Sequence, residues 1–176
     1  MKEKTIFIHH FRSPLGTMMS ASDGMNLTGL WFEGQKYFPA EFPENGSKST
    51  LPVFEQTDCW LDNYFEGRNP DFTPPLSPEG SEFRRAVWKI LLTIPYGKTM
   101  TYGEIAERIA AVQGKEKMSA QAVGGAVGHN PIALIIPCHR VVGADGSLTG
   151  YAGGLERKAA LLKMEAAGTA DDELIR

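Results

Sequence analysis

A nucleophile, a base and a cation follow one another in Pro137-Cys138-His139-Arg140. A thiol attacks as its thiolate, and an unperturbed thiol, with a pKa of about 8.5, is only slightly ionised at neutral pH. Chemistry at Cys138 therefore needs a positive potential or a base beside it. Pro137 interrupts a central strand but favourably opens a helical turn. A turn starting there puts Cys138 at its N-terminal end, where partial positive charge favours a thiolate. It also keeps His139 near Cys138, since neighbours in a regular strand point to opposite faces. Arg140 adds positive charge, or equally forms a structural ion pair. The competing reading is an inert core thiol following Ala133-Leu134-Ile135-Ile136, the commoner state of a free cysteine.

The 176-residue chain has two cysteines, Cys59 and Cys138, too few for a disulfide framework, and a reducing cytoplasm suits them. No apolar run approaches the roughly 20 residues of a membrane span, and the first residues resemble neither a signal nor a transit peptide. The net charge of −3 hides an asymmetry. Residues 1–80 carry 6 Lys/Arg against 11 Asp/Glu, and residues 81–168 carry 11 against 7. A basic second half is compatible with nucleic acid, although an excess of this size is usually solvated surface.

The proline-rich stretch Asn69–Pro78 excludes a helix and divides the chain into domains at 1–76 and 77–176. Before it, Thr5–Phe11, Thr17–Ala21 and Leu27–Phe32 read as an antiparallel meander, and Leu51–Phe65 as a helix, with Cys59 in its core. Residues 34–50 carry no usable pattern. After it come helices over Glu82–Ile94 capped by Ser81, over Tyr102–Val112 capped by Thr101 with Glu104, and over Ser119–Val127. Three short helices, the last small and glycine-rich, fit a helix-turn-helix core. Ile132–Ile136 reads as a buried strand, and Val141-Val142 with Ser147-Leu148-Thr149 across the 143–146 turn as a wing. Leu155–Ala167 is a final helix ending at Gly168.

The segment from Asn130-Pro131 through Pro137-Cys138-His139-Arg140-Val141-Val142 resembles the signature of the O6-alkylguanine-DNA alkyltransferases, or methylated-DNA–protein-cysteine methyltransferases. The likeness extends over Phe83–Tyr102, Ala122-Val123-Gly124-Gly125, Gly150-Tyr151-Ala152-Gly153-Gly154 and Leu161–Glu165. It implies an α+β protein, with an N-terminal ribonuclease-H-like α/β domain followed by a C-terminal winged helix-turn-helix domain. It implies a reaction in which Cys138 takes an alkyl group from guanine O6, once per molecule, with no metal or cofactor. His139 would take the thiol proton through water and Glu165 would hold His139. Asn130 would tie the recognition helix to the cysteine segment, and Tyr102 would assist nucleotide rotation and the leaving group. Tyr151, Ala152, Gly153 and the backbone around Val141 would line the guanine pocket. Because the target atom is hidden in a duplex, the base must be flipped. Ala120, Gln121, Ala122, Gly124 and Gly125 of the third helix would enter the minor groove, with Arg140 nearby. Without the resemblance, the same small residues could simply pack helices together. The expected partner is duplex DNA containing O6-alkylguanine, bound by a monomer, with no membrane.

Three departures from the family pattern stand out. Gln121 occupies the place of an arginine that fills the gap left by the flipped base; glutamine brings hydrogen bonds but less volume and no charge. Ala152 replaces a serine that would hydrogen-bond O6, and Gln113–Met118 lengthens the approach to the third helix, with Lys115 and Lys117 either near phosphates or simply solvated. His9-His10 lacks further ligand spacing, so no metal is expected. Two other functions compete. A winged-helix protein that only senses lesions would not need Cys138. A cysteine hydrolase would need an oxyanion-hole glycine motif and a base placed better than the adjacent residue.

Overall fold

The computed structural model describes residues 5–39 and 51–175, with side chains through residue 169. The chain forms two compact units, residues 1–79 with 131–133, and residues 80–130 with 134–176.

In the first unit, β1 (Phe7–Ser13), β2 (Gly16–Ser22) and β3 (Leu27–Phe32) form an antiparallel sheet in chain order. Ser13 pairs with Gly16 across a tight turn, and Gly16 takes the positive φ that the turn requires. Asp23 closes the next turn by accepting the amides of Met25 and Asn26. Helix α1 (Pro52–Phe65) has proline in its first turn and buries Val53, Phe54, Thr57, Trp60, Leu61 and Tyr64. Stacking of His9 on Phe54 and of Phe11 on Phe65 seats it on the sheet. Cys59, expected in the core, is exposed: it lies on the helix face away from the sheet. The proline-rich segment runs extended along β3, with Leu27 N–H on the Pro75 carbonyl.

The second unit opens with α2 (Glu82–Leu91), capped by the Ser81 hydroxyl on Arg84 N–H. It stops before Ile94 because the chain tightens into three-residue bonds at Thr93 and Ile94. A short strand β4 (Met100–Thr101) leads into α3 (Tyr102–Val112), where Thr101 caps Glu104 N–H. Helix α4 (Ala120–Gly128) is capped by Ser119, and Trp88 Nε1 donates to the Ala126 carbonyl, fixing α4 against α2. These three helices are the helix-turn-helix core.

Two local expectations are corrected beyond α4. Residues 132–136 are buried but form no strand: Leu134, fully buried, has φ +69, which breaks an extended run. Residues 147–149 form no second wing strand. Gly143 N–H closes a turn onto the Ser147 carbonyl, and β5 (Val141–Val142) pairs instead with β4, in parallel. The final helix α5 (Leu155–Ile175) runs past Gly168, one glycine being insufficient to end a packed helix.

Candidate active site around Cys138

Pro137 does open a turn: Cys138–Arg140 is one turn of 3₁₀ helix, with Arg140 N–H on the Pro137 carbonyl. The turn bends the chain so that consecutive side chains enter different parts of the site. Cys138 is 7 % exposed and His139 fully buried.

His139 points at α5. Its Nε2 lies 2.5 Å from Glu165 Oε2, and neither side chain is exposed. Glu165, which reads on sequence as an ordinary helix-surface residue, also accepts Arg140 Nε at 2.8 Å, Arg140 Nη2 at 3.2 Å and Gly97 N–H at 3.1 Å. Four donors thus converge on two carboxylate oxygens, which is what a buried carboxylate needs to remain charged. Burial alone would raise the Glu165 pKa; the bonds and charges of His139 and Arg140 overcome it and hold the group at about 2. Burial pushes the His139 pKa below its ordinary value, with Glu165 opposing, so the ring is neutral at neutral pH.

Arg140 corrects one expectation. It is not positioned as a DNA contact: beyond its bonds to Glu165 it donates Nη1 to the Ile94 carbonyl at 2.7 Å and lies over the Tyr96 ring. Its side chain is only 9 % exposed, so it is the structural ion pair.

Cys138 corrects another. Desolvation raises its pKa, and the Asn130 amide, Lys158 and the backbone N–H groups of Cys138 and His139 only partly offset this. The resting group is a neutral thiol, because a single short turn supplies less potential than burial removes. Asn130, itself buried, donates Nδ2 to the Ile136 carbonyl at 2.7 Å, joining the end of α4 to the segment before the cysteine.

Tyr102 stands at the start of α3 and donates its hydroxyl to the Thr149 carbonyl at 3.0 Å. Tyr151 lies in the loop between β5 and α5, and its hydroxyl is buried without a hydrogen-bond partner. Burial raises its pKa well above the ordinary phenol value, and Cys138 adds to the effect, which places the two groups within electrostatic reach. Ala152 is half-buried beside it, and the buried Gly153 gives its carbonyl to Arg157 Nη1. Val141 is fully buried in β5.

On α4 the core face is Val123, Ala126 and Val127, whereas Ala120, Gln121, Ala122 and Gly125 are exposed and Gly124 half-exposed. A Cβ at Gly125 would meet nothing within 4 Å, and one at Gly124 only the edge of Tyr102. Internal packing therefore does not require glycine at these positions. Lys115 and Lys117 are exposed in the loop before α4. Two residues that the sequence does not mark as functional belong to the site: Gly97, whose N–H completes the Glu165 shell, and Lys158, whose ammonium donates to the Thr149 and Gly150 carbonyls. A lone backbone donor and a helix lysine carry no sequence signal.

A helix-turn-helix unit with a buried Cys-His-Glu array fits a DNA-directed, cysteine-based class of protein. The comparisons with known proteins give the family. Residues 82–167 match the 6-O-methylguanine DNA methyltransferase DNA-binding domain, and residues 6–78 its ribonuclease-like domain. A methylated-DNA–protein-cysteine methyltransferase of Haemophilus influenzae is 42% identical over 161 residues, covering 91% of this chain and 86% of that one. One from Mycobacterium leprae is 46% identical over 156 residues, covering 87% and 88%. Among solved structures, the Mycobacterium tuberculosis O6-methylguanine methyltransferase is 43% identical with a TM-score of 0.78, covering 93% of this chain and 94% of that one. The same M. tuberculosis protein solved in complex with DNA matches with a TM-score of 0.78 as well. The chain belongs to the methylated-DNA–protein-cysteine methyltransferase family.

Proposed function

We propose that this protein repairs O6-alkylguanine in duplex DNA by moving the alkyl group onto Cys138 Sγ, once per molecule and as a monomer. The observation that carries the reading is the His139–Glu165 pair held behind a buried thiol. Glu165 stays anionic and bonds Nε2, so the neutral imidazole turns its other nitrogen, Nδ1, to the task of accepting a proton. In the reaction a water passes the thiol proton to His139. Sulfur then forms a bond to the alkyl carbon as the carbon–O6 bond breaks. The electron pair leaves on O6, and the proton returns to the guanine, so that thiol and alkylguanine become thioether and guanine. The imidazolium that forms in between is stabilised by Glu165. A thioether cannot be cleaved by this array, so the molecule is spent.

The remaining site residues take roles around that step. Tyr102, now on Thr149, turns to the flipped nucleotide and assists the departing O6. Tyr151, Ala152, Gly153 and the backbone of Val141 bind guanine, and the unpartnered Tyr151 hydroxyl favours a polar occupant. Asn130 holds the cysteine segment to α4. Ala120, Gln121, Ala122, Gly124 and Gly125 approach the minor groove, a role that the open space at Gly125 supports. Among the described residues no helix is long and apolar enough to cross a membrane; a reducing, cytoplasmic setting would keep Cys138 free. The domain division proposed is 1–76 and 77–176.

The test is stoichiometry. With excess duplex carrying O6-methylguanine, repair should stop at one guanine restored per protein molecule. Continued turnover would reject the mechanism.

A further inference from the structure

We propose that Lys158 is a positioning residue that clamps the 149–153 segment while the Tyr102 hydroxyl changes partners from Thr149 to the bound nucleotide. The inference rests on the alkyl-transfer reading of the site. Lys158 lies in the first turn of α5 with no exposed surface, an unusual state for lysine. Its ammonium donates to the Thr149 carbonyl at 3.1 Å and to the Gly150 carbonyl at 3.0 Å. The Thr149 carbonyl is also the acceptor for Tyr102 Oη at 3.0 Å. One carbonyl therefore serves two donors, one of them the tyrosine that the reaction needs elsewhere.

The segment between the 143–147 turn and α5 has no helix or strand of its own. Gly154 N–H closes a turn onto the Tyr151 carbonyl, and Arg157 Nη1 holds the Gly153 carbonyl at 3.0 Å. Arg157 and Lys158 thus grip the segment near both ends, with Tyr151 between them. A carbonyl has two acceptor sites, and a charged donor makes the stronger bond. When Tyr102 leaves, the ammonium keeps Thr149 fixed, and the pocket residues hold their places during transfer. Lys158 is also within electrostatic reach of Cys138: burial draws the lysine pKa down and Cys138 draws it up. A cation at this point favours sulfur's charged form, which a neutral clamp would not.

The experiment compares wild type, K158M and K158R by hydrogen exchange and by single-turnover methyl transfer at saturating DNA. K158M keeps an unbranched apolar stem without the donor; K158R keeps charge and donors. For K158M, exchange of the 150–154 amides should rise about tenfold or more while α2–α4 are unchanged. The limiting transfer rate should fall about tenfold to a hundredfold, with DNA Kd within about twofold of wild type. K158R should recover most of both effects. Wild-type exchange and rate in K158M would overturn the proposal. So would equal acceleration throughout the domain in both variants, the mark of a general core residue. A wild type that transfers no methyl would instead overturn the alkyl-transfer reading, and the local exchange would still decide whether Lys158 clamps the segment.

Discussion

Glu165 Oε2 and His139 Nε2 lie 2.5 Å apart with no exposed surface on either side chain, and the same carboxylate takes Arg140 and Gly97 N–H. The carboxylate therefore has two duties: it orients the base, and it neutralises a buried guanidinium. Its removal should affect stability and chemistry together.

Glu165→Gln leaves Arg140 and any imidazolium without a buried counter-charge. The expected loss of stability is about 3–5 kcal/mol, in the range for breaking a buried pair from one side. Denaturant unfolding measures it. Transfer by the folded fraction should slow as well, because the neutral amide no longer stabilises protonated His139. A variant as stable and as fast as wild type would contradict the network's role.

Acid should destabilise the protein in two steps. The folded pKa of His139 lies below its unfolded value of 6.5, so the unfolded chain binds the proton first and stability falls as pH drops below about 6.5. Glu165 is held at about 2 against an unfolded value of 4.5. Its contribution is fully present above 4.5 and is lost as pH falls through its folded value. The linked stability is a few kcal/mol on the order given by pKa differences of this size. Unfolding midpoints measured from pH 7 down to pH 3 should decline throughout, and Glu165→Gln should flatten the lower part.

Gly97→Ala tests the backbone position that presents the fourth donor. Gly97 has φ +79, and a Cβ there would fall 2.1 Å from Thr169 Oγ1. The expected cost is about 1–3 kcal/mol of stability, from backbone strain and displacement together. Adding Thr169→Ala removes the Oγ1 clash but leaves the residue 169 Cβ at 3.2 Å and the positive φ, so recovery should be partial. Full recovery would show that the backbone conformation is unstrained.

Gln121→Arg should restore volume and charge on the exposed edge of α4. Tighter DNA binding and a faster single turnover are expected; no change in either would remove Gln121 from base extrusion.

The resting thiol offers a simpler contrast. Cys59 is exposed, whereas Cys138 is buried with a raised pKa. At neutral pH iodoacetamide should modify Cys59 well before Cys138 in the DNA-free protein, as peptide mapping would report. Faster reaction at Cys138 would mean that the thiolate forms without DNA.

Elements with strong local signals were legible in the sequence. Caps at Ser81 and Thr101 and the apolar spacing of α1, α2, α3 and α5 depend on neighbours three or four residues apart, and the turn at Pro137 depends on one proline. What was not legible depends on partners far along the chain. Ile132–Ile136 has a strand's composition, but the positive φ of Leu134 breaks the extended run. Val141-Val142 reads as half of a hairpin, yet pairs with Met100-Thr101 in parallel. Arg140 reads equally as a cation beside Cys138 or as a structural ion pair, and only the distant Glu165 and Ile94 decide between them. Cys138 reads either as activated by its turn or as a buried core thiol, and only the folded chain shows the turn and the burial together. Family resemblance supplied His139 with Glu165; nothing local would have joined residues 26 positions apart.

The central claim is that Cys138 is the final resting place of the alkyl group. Intact-mass analysis after incubation with a duplex containing one O6-methylguanine, followed by peptide mapping, tests it most directly. The protein should gain a single methylene, located on Cys138, and the Cys138→Ala variant should gain none. A gain on Cys59, or no gain while guanine is restored, would contradict the account.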